Sequence, residues 1–313
     1  MPDPSVALIV AAKDASATIG KAVASALAQP GVAQVVVVDD GSRDDTAAAA
    51  AAVDDGSGRL SILRLERNLG PSAARNRAVA ASTAPLIGIL DADDYFDGDR
   101  IGRLLAQAPG DWDFLADNMR FKRAGREAAP GELLVPDESA LPARLDAASF
   151  VCGNLADPGR PRRELGFLKP LMRRAFLDRH GLGYDETLRL GEDYALYAQA
   201  LLKGAAFWLA RESGYVAIEH PGSLSGAHGG GDLAALAVAD ERLIALAQGD
   251  VGALQALRLH RRATCLKRDH ALAIEAKRQG RYGSALRSLL RTPRTTAHIL
   301  GAAFKSRLAR LRG

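Results

Sequence analysis

Along the first 120 residues, short apolar runs alternate with amphipathic segments, the pattern of βαβ units feeding a largely parallel sheet covered on both faces. The runs predict strands over 6–12, 34–38, 60–65 and 86–90. Between them the spacing predicts helices over 17–28, 44–53 and 71–81, with Ser16 or Ser42 as a cap and Pro71 in a first turn. The alanine run 47–52 strengthens the second of these. A further strand is expected over 112–121, then an excursion rich in Pro, Gly and Glu over 124–140. Residues 167–203 read as mostly helical, with a break at Gly181-Leu182-Gly183, and strand-like segments follow at 206–209 and 214–219. The run His228-Gly229-Gly230-Gly231 holds regular structure poorly and separates an α/β body from a region of helical periodicity. Within that region, the Gly-Arg-Tyr-Gly-x-Ala-Leu pattern in 276–290 resembles one helical hairpin of the tetratricopeptide sort. A single copy is no repeat array, so the region is read as a helical extension.

Composition adds bounds rather than detail. The 313 residues are 48% hydrophobic and 25% charged, enough for one large core or two modest ones. No window holds the roughly 18 to 20 apolar residues of a membrane span, and acidic residues precede any signal-like stretch, so a cytoplasmic location is expected. Cys152 and Cys265 lie far apart, outside any CxxC or Cys/His cluster, and are read as packing residues.

Charge changes the picture more. Residues 257–313 hold 15 Lys/Arg against Asp269 and Glu275, so a chain of net charge +4 has an acidic body and a basic tail. Such a tail is either a solvated helical face or a surface for something anionic, such as a membrane, a lipid-phosphate acceptor or a nucleic acid. Nucleic acid is disfavoured, because Tyr282 and Phe304 are the only aromatic residues there that could stack on bases.

Candidate chemistry gathers at predicted strand ends. The second strand runs into Val38-Asp39-Asp40-Gly41-Ser42, followed by Asp44-Asp45-Thr46. Carboxylates at the carboxyl end of a parallel strand face the crevice where open α/β sheets bind ligands. There they can accept from a base N–H or a ribose hydroxyl, or simply form a turn and cap a helix. The fourth strand ends in Asp91-Ala92-Asp93-Asp94. Crowded carboxylates are costly without a cation, and Mg2+ or Mn2+ held by one or two of them together with substrate phosphates relieves the repulsion. A metal there would neutralise a departing diphosphate.

Two further segments stand out. In Arg67-Asn68-Leu69-Gly70-Pro71-Ser72-Ala73-Ala74-Arg75-Asn76 a loop enters a helix whose N-terminus suits anions. Arg75 would reach a nucleotide, lock the acidic edges together, or form a plain salt bridge. Leu190-Gly191-Glu192-Asp193-Tyr194 opens a helix, where the dipole alone favours two acids, while one of them could accept a proton from an attacking hydroxyl.

Taken in order, these four motifs resemble the inverting glycosyltransferases of family 2, of the bacterial polysaccharide type. The resemblance implies a GT-A fold: a mostly parallel mixed sheet flanked by helices, followed by a C-terminal helical extension. It implies a catalytic domain over 1–228, divided into a nucleotide-binding half 1–122 and an acceptor-binding half 123–228, before a basic extension 229–313. It places Ala12, Asp39, Asp40, Asn68, Arg75, Asp91 and Ala92 around a nucleotide-sugar donor, Asp40 at the base and Asp91 at the ribose or diphosphate. Asp93 would hold Mn2+ or Mg2+, Asp94 would be accessory, Asp193 would be the catalytic base, and Glu192 would support it or bind the acceptor. A family fingerprint is met near Ser223-Leu224-Ser225, which makes His220 a candidate metal ligand and His228 a weaker one. The family's usual Pro-x-Tyr/Phe-Asn opening is replaced by Val10-Ala11-Ala12-Lys13-Asp14, leaving Ala12 to act through its backbone.

The implied reaction is one displacement with inversion from a nucleoside-diphosphate sugar, UDP by family habit, to a hydroxyl of a glycan or lipid-linked saccharide. Peripheral contact with an anionic inner membrane surface through the basic helices would suit such an acceptor. A dehydrogenase is disfavoured, since no GxGxxG follows the first strand. A nucleotidyltransferase would need a Gly-rich basic loop that is not visible. A non-catalytic sugar-nucleotide-binding scaffold is the remaining alternative.

Overall fold

A computed structural model describes residues 5–155, 164–211, 214–220 and 229–289. The chain divides into two compact units, Met1–Pro221 and Gly222–Gly313.

The first unit begins with β1 (Val6–Ala12), α1 (Ile19–Leu27), β2 (Val32–Asp39), α2 (Thr46–Ala51), β3 (Leu60–Arg64), α3 (Pro71–Ala80) and β4 (Leu86–Ile89). These are the expected βαβ units, with ends moved by a few residues. The cause of the parallel arrangement is visible in burial: six of the seven residues of β1 and the valine run Val35–Val38 of β2 are buried, as central strands covered on both faces require.

Next come β5 (Tyr95–Phe96), α4 (Arg100–Ala106), β6 (Phe114–Asp117), β7 (Arg120–Arg123), β8 (Glu132–Leu133), β9 (Ala143–Leu145) and α5 (Ala147–Cys152). The unit closes with β10 (Leu171–Arg173), α6 (Arg174–His180), α7 (Glu192–Leu202), β11 (Phe207–Ala210) and β12 (Tyr215–Glu219). The main sheet has the order β3-β2-β1-β4-β10-β6-β11-β9, and a smaller sheet has the order β5-β12-β7-β8. The fold is GT-A.

Three stretches differ from the sequence expectation. The single strand expected over 112–121 is two strands in different sheets, broken at Asn118-Met119. Asn118 is fully buried and uses its side-chain amide twice, donating to Val135 O and accepting from Val135 N at 2.9 Å each, so the chain leaves one sheet for the other without an orphaned amide. The excursion over 124–140 contains β8 and a 3-10 turn at Glu138–Ala140. In the stretch read as mostly helical, Leu171-Met172-Arg173 forms β10, antiparallel to both β4 and β6. A three-residue strand is too short to show a period of two, and its sheet bonds come entirely from distant partners.

An aromatic cluster sets α7 against this sheet. Phe114 stacks on Phe207 at 5.4 Å between centroids and meets Tyr197 edge-on at 6.0 Å. Tyr197 lies one turn beyond Asp193, so packing at the ring fixes the start of the helix.

Over its described residues the second unit holds α8 (Gly230–Leu246), α9 (Val251–Arg278) and α10 (Tyr282–Leu289). Asp250 caps α9 by accepting from Ala253 N at 2.9 Å. Leu233, Leu236 and Leu243 of α8 are buried, as are Ala253, Ala256 and Leu257 of α9, and the buried His260 Nδ1 meets the Asp240 carboxylate at 2.9 Å. The helical extension is thus a set of packed helices over its described part. No helix among the described residues is long and apolar enough to cross a membrane.

Candidate active site

Order in the sheet creates the site. Parallel strands β1, β2 and β4 end at one edge, and β10, running the other way, begins there. Continuing the register of β10 puts Lys169 level with Leu90 on one side and Asp117 on the other. Carboxylates that follow β2 and β4 therefore share an edge with a lysine that precedes β10.

At the end of β2, Asp39 is 0% exposed. Its Oδ1 accepts from Ser42 N at 2.8 Å, while its Oδ2 has no hydrogen-bond partner and sits 3.5 Å from Arg64 Nε. Asp40 accepts from Leu69 N at 2.7 Å and from Gly70 N at 2.8 Å, so both of its oxygens order the loop that carries Asn68. Gly41 has φ +67°, and a Cβ there would lie 2.7 Å from the Arg67 carbonyl carbon, so only glycine lets these two loops meet. Ala12 O accepts from Asp40 N at 2.8 Å. Beside these groups lies an open cleft of about 640 Å³ lined by Lys13, Asp14, Ser42, Arg43, Arg67 and Asn68 among others. Asn68 is exposed and meets Arg189 Nη1 at 3.3 Å.

The turn after β4 separates its carboxylates into three environments. Asp91 Oδ1 accepts from Arg75 Nη2 at 2.7 Å, and its Oδ2 lies 3.1 Å from Lys169 Nζ. Burial works against this charge, but Lys169 and Arg75 outweigh it and hold the carboxyl well below its usual range. Asp93 is shifted the other way, upward, by burial and then by the charge of Asp91, with His220 and Lys169 offsetting part of the effect. Asp94 is buried and held well above the usual range, by burial first and by Asp91 and Asp93 next. Its Oδ2 accepts from the Tyr215 hydroxyl and its Oδ1 from Ile218 N, both at 2.8 Å, which fastens β12 to the turn. Ala92 is buried between them.

β12 leads directly to His220, whose Nε2 is buried without a hydrogen-bond partner. Ser223-Leu224-Ser225 and His228 lie outside the described residues.

Arg75, in the first half of α3, is 5% exposed and spans the site. Its Nη1 donates to Glu192 Oε1 at 2.8 Å and lies 3.5 Å from Asp193 Oδ1, while Nη2 takes Asp91. Arg75 thus joins the turn after β4 to the start of α7 through ion pairs. Glu192 and Asp193 open α7 after Gly191, whose φ of +71° favours glycine. Asp193 Oδ2 accepts from Lys169 Nζ at 2.8 Å, and Tyr197 OH lies 3.5 Å from its Oδ1. The Tyr184 phenol, whose pKa burial and then the Asp193 charge raise strongly, completes this wall.

Lys169 is the residue that sequence reasoning missed. It is 6% exposed, and although burial pulls an ammonium's pKa down, Asp193 and Asp91 more than reverse that and hold it above its ordinary value. Its only local signal is a lysine set between Leu168 and Pro170 in an apolar stretch. Arg100 was missed as well. Its guanidinium pairs with the Asp117 carboxylate, both 1% exposed, and Nη2 donates at 2.6 Å to Lys169 O.

The Glycosyl transferase family 2 model matches residues 7–154, a span that stops short of Lys169 and Asp193. Succinoglycan biosynthesis protein ExoU of Rhizobium meliloti (strain 1021) is 46% identical over 307 residues, which cover 98% of this chain and 89% of that protein. Succinoglycan biosynthesis protein ExoO of the same strain is 34% identical over 316 residues, covering 98% of this chain and 87% of that protein. Among solved structures, S. aureus TarS 1–349 in complex with UDP-GlcNAc gives a TM-score of 0.61 at 17% identity, covering 91% of this chain and 90% of that one. Mannosyltransferase PcManGT from Pyrobaculum calidifontis, in complex with GDP-Man and Mn2+, gives 0.55 at 17% identity, covering 98% and 82%. These two structures share the fold.

Proposed function

The chain belongs to glycosyltransferase family 2 and is an enzyme of that family, and on this premise we propose that it transfers a sugar from a nucleoside-diphosphate donor, a UDP-sugar by family habit, to a hydroxyl of a glycan or lipid-linked saccharide with inversion. The observation that carries the reading is the meeting of Asp91, Glu192 and Asp193 around Arg75 and Lys169, from segments that lie more than 70 residues apart in places. Likeness to ExoU supports a place in the assembly of an exopolysaccharide of the succinoglycan kind.

In this reading the nucleoside lies in the cleft at the ends of β1 and β2, beside Ala12, Asp39, Asp40 and Asn68. Asp91 and Ala92 lie against the ribose or diphosphate, with Arg75 keeping Asp91 in place. Asp193 takes the proton of the acceptor hydroxyl as its oxygen bonds to the anomeric carbon. The bond from that carbon to the diphosphate breaks, and the nucleoside diphosphate leaves with the electron pair. Glu192, bound to Arg75, supports the base or meets the acceptor.

The residues present fit a divalent cation. Asp93 is a carboxylate whose ionised form is disfavoured until a cation balances it, and the unpartnered Nε2 of His220 lies near. Among the described residues no group of three or more His, Cys, Asp and Glu side chains could hold a metal, so Asp93 and His220 would share Mn2+ or Mg2+ with donor phosphates. When bound, the cation neutralises the leaving diphosphate.

Incubation with labelled nucleotide sugars and Mn2+ or Mg2+ tests the reading. Transfer, or slow donor hydrolysis, is expected from the wild-type chain, and Asp193→Asn should lose turnover by about 100-fold to 10,000-fold while still binding UDP. Donor binding without turnover in the wild type would favour a scaffold. Unchanged turnover in Asp193→Asn would remove that residue as the base.

A further inference from the structure

We propose that Lys169 is a positioning residue of the transfer reaction: its single ammonium ties Asp91, on the donor side of the site, to Asp193, on the acceptor side, and thereby fixes where the base faces. This rests on the reading of Asp193 as the base.

Three observations carry it. First, the contact from Lys169 Nζ to Asp193 Oδ2, at 2.8 Å, is the shortest hydrogen bond of that carboxylate; Arg75 and Tyr197 stand off at 3.5 Å. Arg75 is committed at short range to Asp91 and Glu192, so it does not replace Lys169. Second, the same Nζ lies 3.1 Å from Asp91 Oδ2, and with the lysine absent the two carboxylates would face one another with only the shared guanidinium between them. Third, the main chain of Lys169 is itself held. Its carbonyl accepts from Arg100 Nη2 at 2.6 Å, Arg100 is paired with Asp117, and Asp117 also accepts from Gly214 N and Tyr215 N at the head of β12. Pro170 restricts Lys169 to extended backbone just before β10.

A side chain anchored this way acts as a strut. The lysine ammonium can give separate N–H groups to two carboxylates at once, and it has no lone pair with which to compete for the acceptor's proton. An error of about 1 Å in the placement of a reacting group costs roughly 100-fold in rate. Loss of Lys169 should therefore appear in kcat rather than in donor binding.

The test uses the full chain and the nucleotide sugar that the wild type turns over best, with released nucleoside diphosphate as the readout. Lys169→Met keeps length and removes the charge; Lys169→Gln keeps an N–H donor and serves if the first variant melts early. Expected are a fall in kcat of about 100-fold for Lys169→Met, a smaller fall for Lys169→Gln, and a donor KM and UDP Kd within about threefold of wild type. The double variant Lys169→Met with Asp193→Asn should be no slower than Asp193→Asn alone, because a residue acting through another adds nothing once that one is gone.

Near-wild-type kcat in Lys169→Met overturns the proposal while leaving the base assignment intact if Asp193→Asn is inactive. Parallel loss of UDP binding overturns it in favour of a donor contact, and additive losses in the double variant overturn it in favour of a general structural role. A wild-type chain that turns over no nucleotide sugar would defeat the functional reading itself, and this proposal with it.

Discussion

The hydroxyl of Tyr215 donates to Asp94 Oδ2 at 2.8 Å while accepting from the N–H of Asp91 at 3.1 Å, so one phenol closes β12 over the acidic turn. It also explains how Asp94, with its pKa held high by burial and by two neighbouring carboxylates, is kept in the core rather than at the cleft.

That arrangement makes stability depend on pH. A carboxyl whose folded pKa is raised stays protonated in the fold while its unfolded counterpart ionises, so the native state loses stability as pH rises above about 4 toward the folded pKa. The metal-free chain should melt at lower temperature at pH 7 than at pH 5, through Asp94 and in lesser part Asp93. Asp94→Asn should flatten this slope. Thermal melts of both proteins across that range check it, and an unchanged slope would place the effect elsewhere.

Metal addition should act through Asp93. Mn2+ should raise the melting temperature of the wild type, more at pH 7.5 than at pH 5, because the cation competes with the proton for the same oxygens. Asp93→Asn should abolish the rise and His220→Ala should reduce it. Equal shifts in all three proteins would place the ion at another site.

Breaking the pair between Arg100 and Asp117 should be costly. Both side chains are buried, and removing one partner strands the other charge, a loss of about 3–5 kcal/mol. Urea unfolding of Arg100→Met and Asp117→Asn measures it. A loss below about 1 kcal/mol would show that the pair is dispensable.

The basic helices of the second unit should bind anionic lipid. Val251, Leu259, Tyr282 and Leu286 are exposed there, among Arg258, Arg262, Arg281 and Arg287. Sedimentation with vesicles containing an anionic lipid should pull down the full chain in a salt-sensitive manner, and a full-length variant with Arg258, Arg262, Arg281 and Arg287 all replaced by Gln should stay in solution. Equal weak binding by both would remove the idea.

The chemistry-bearing segments could be read from the sequence because each sits where a local pattern changes. Apolar runs followed at once by acids mark Asp39-Asp40 and Asp91-Ala92-Asp93-Asp94, and the Gly191-Glu192-Asp193 step marks a helix start. What could not be read was how the carboxylates divide their tasks. Asp91, Asp93 and Asp94 form one cluster in the sequence, yet the first meets two cations, the second lies near the His220 ring, whose Nε2 has no hydrogen-bond partner, and the third is shut under Tyr215.

The sequence by itself determined the parallel βαβ body, the helical C-terminal region and the edge at which acids collect, since buried runs and helix caps are written in neighbouring residues. Only the tertiary structure decided that β10 enters the sheet in reverse, that Lys169 consequently stands between Asp91 and Asp193, and that Arg75 reaches Glu192. Strand order depends on which edges pair, and a three-residue strand leaves no period to read. A buried charge needs an opposite charge nearby, and the fold is free to draw that partner from any point along the chain.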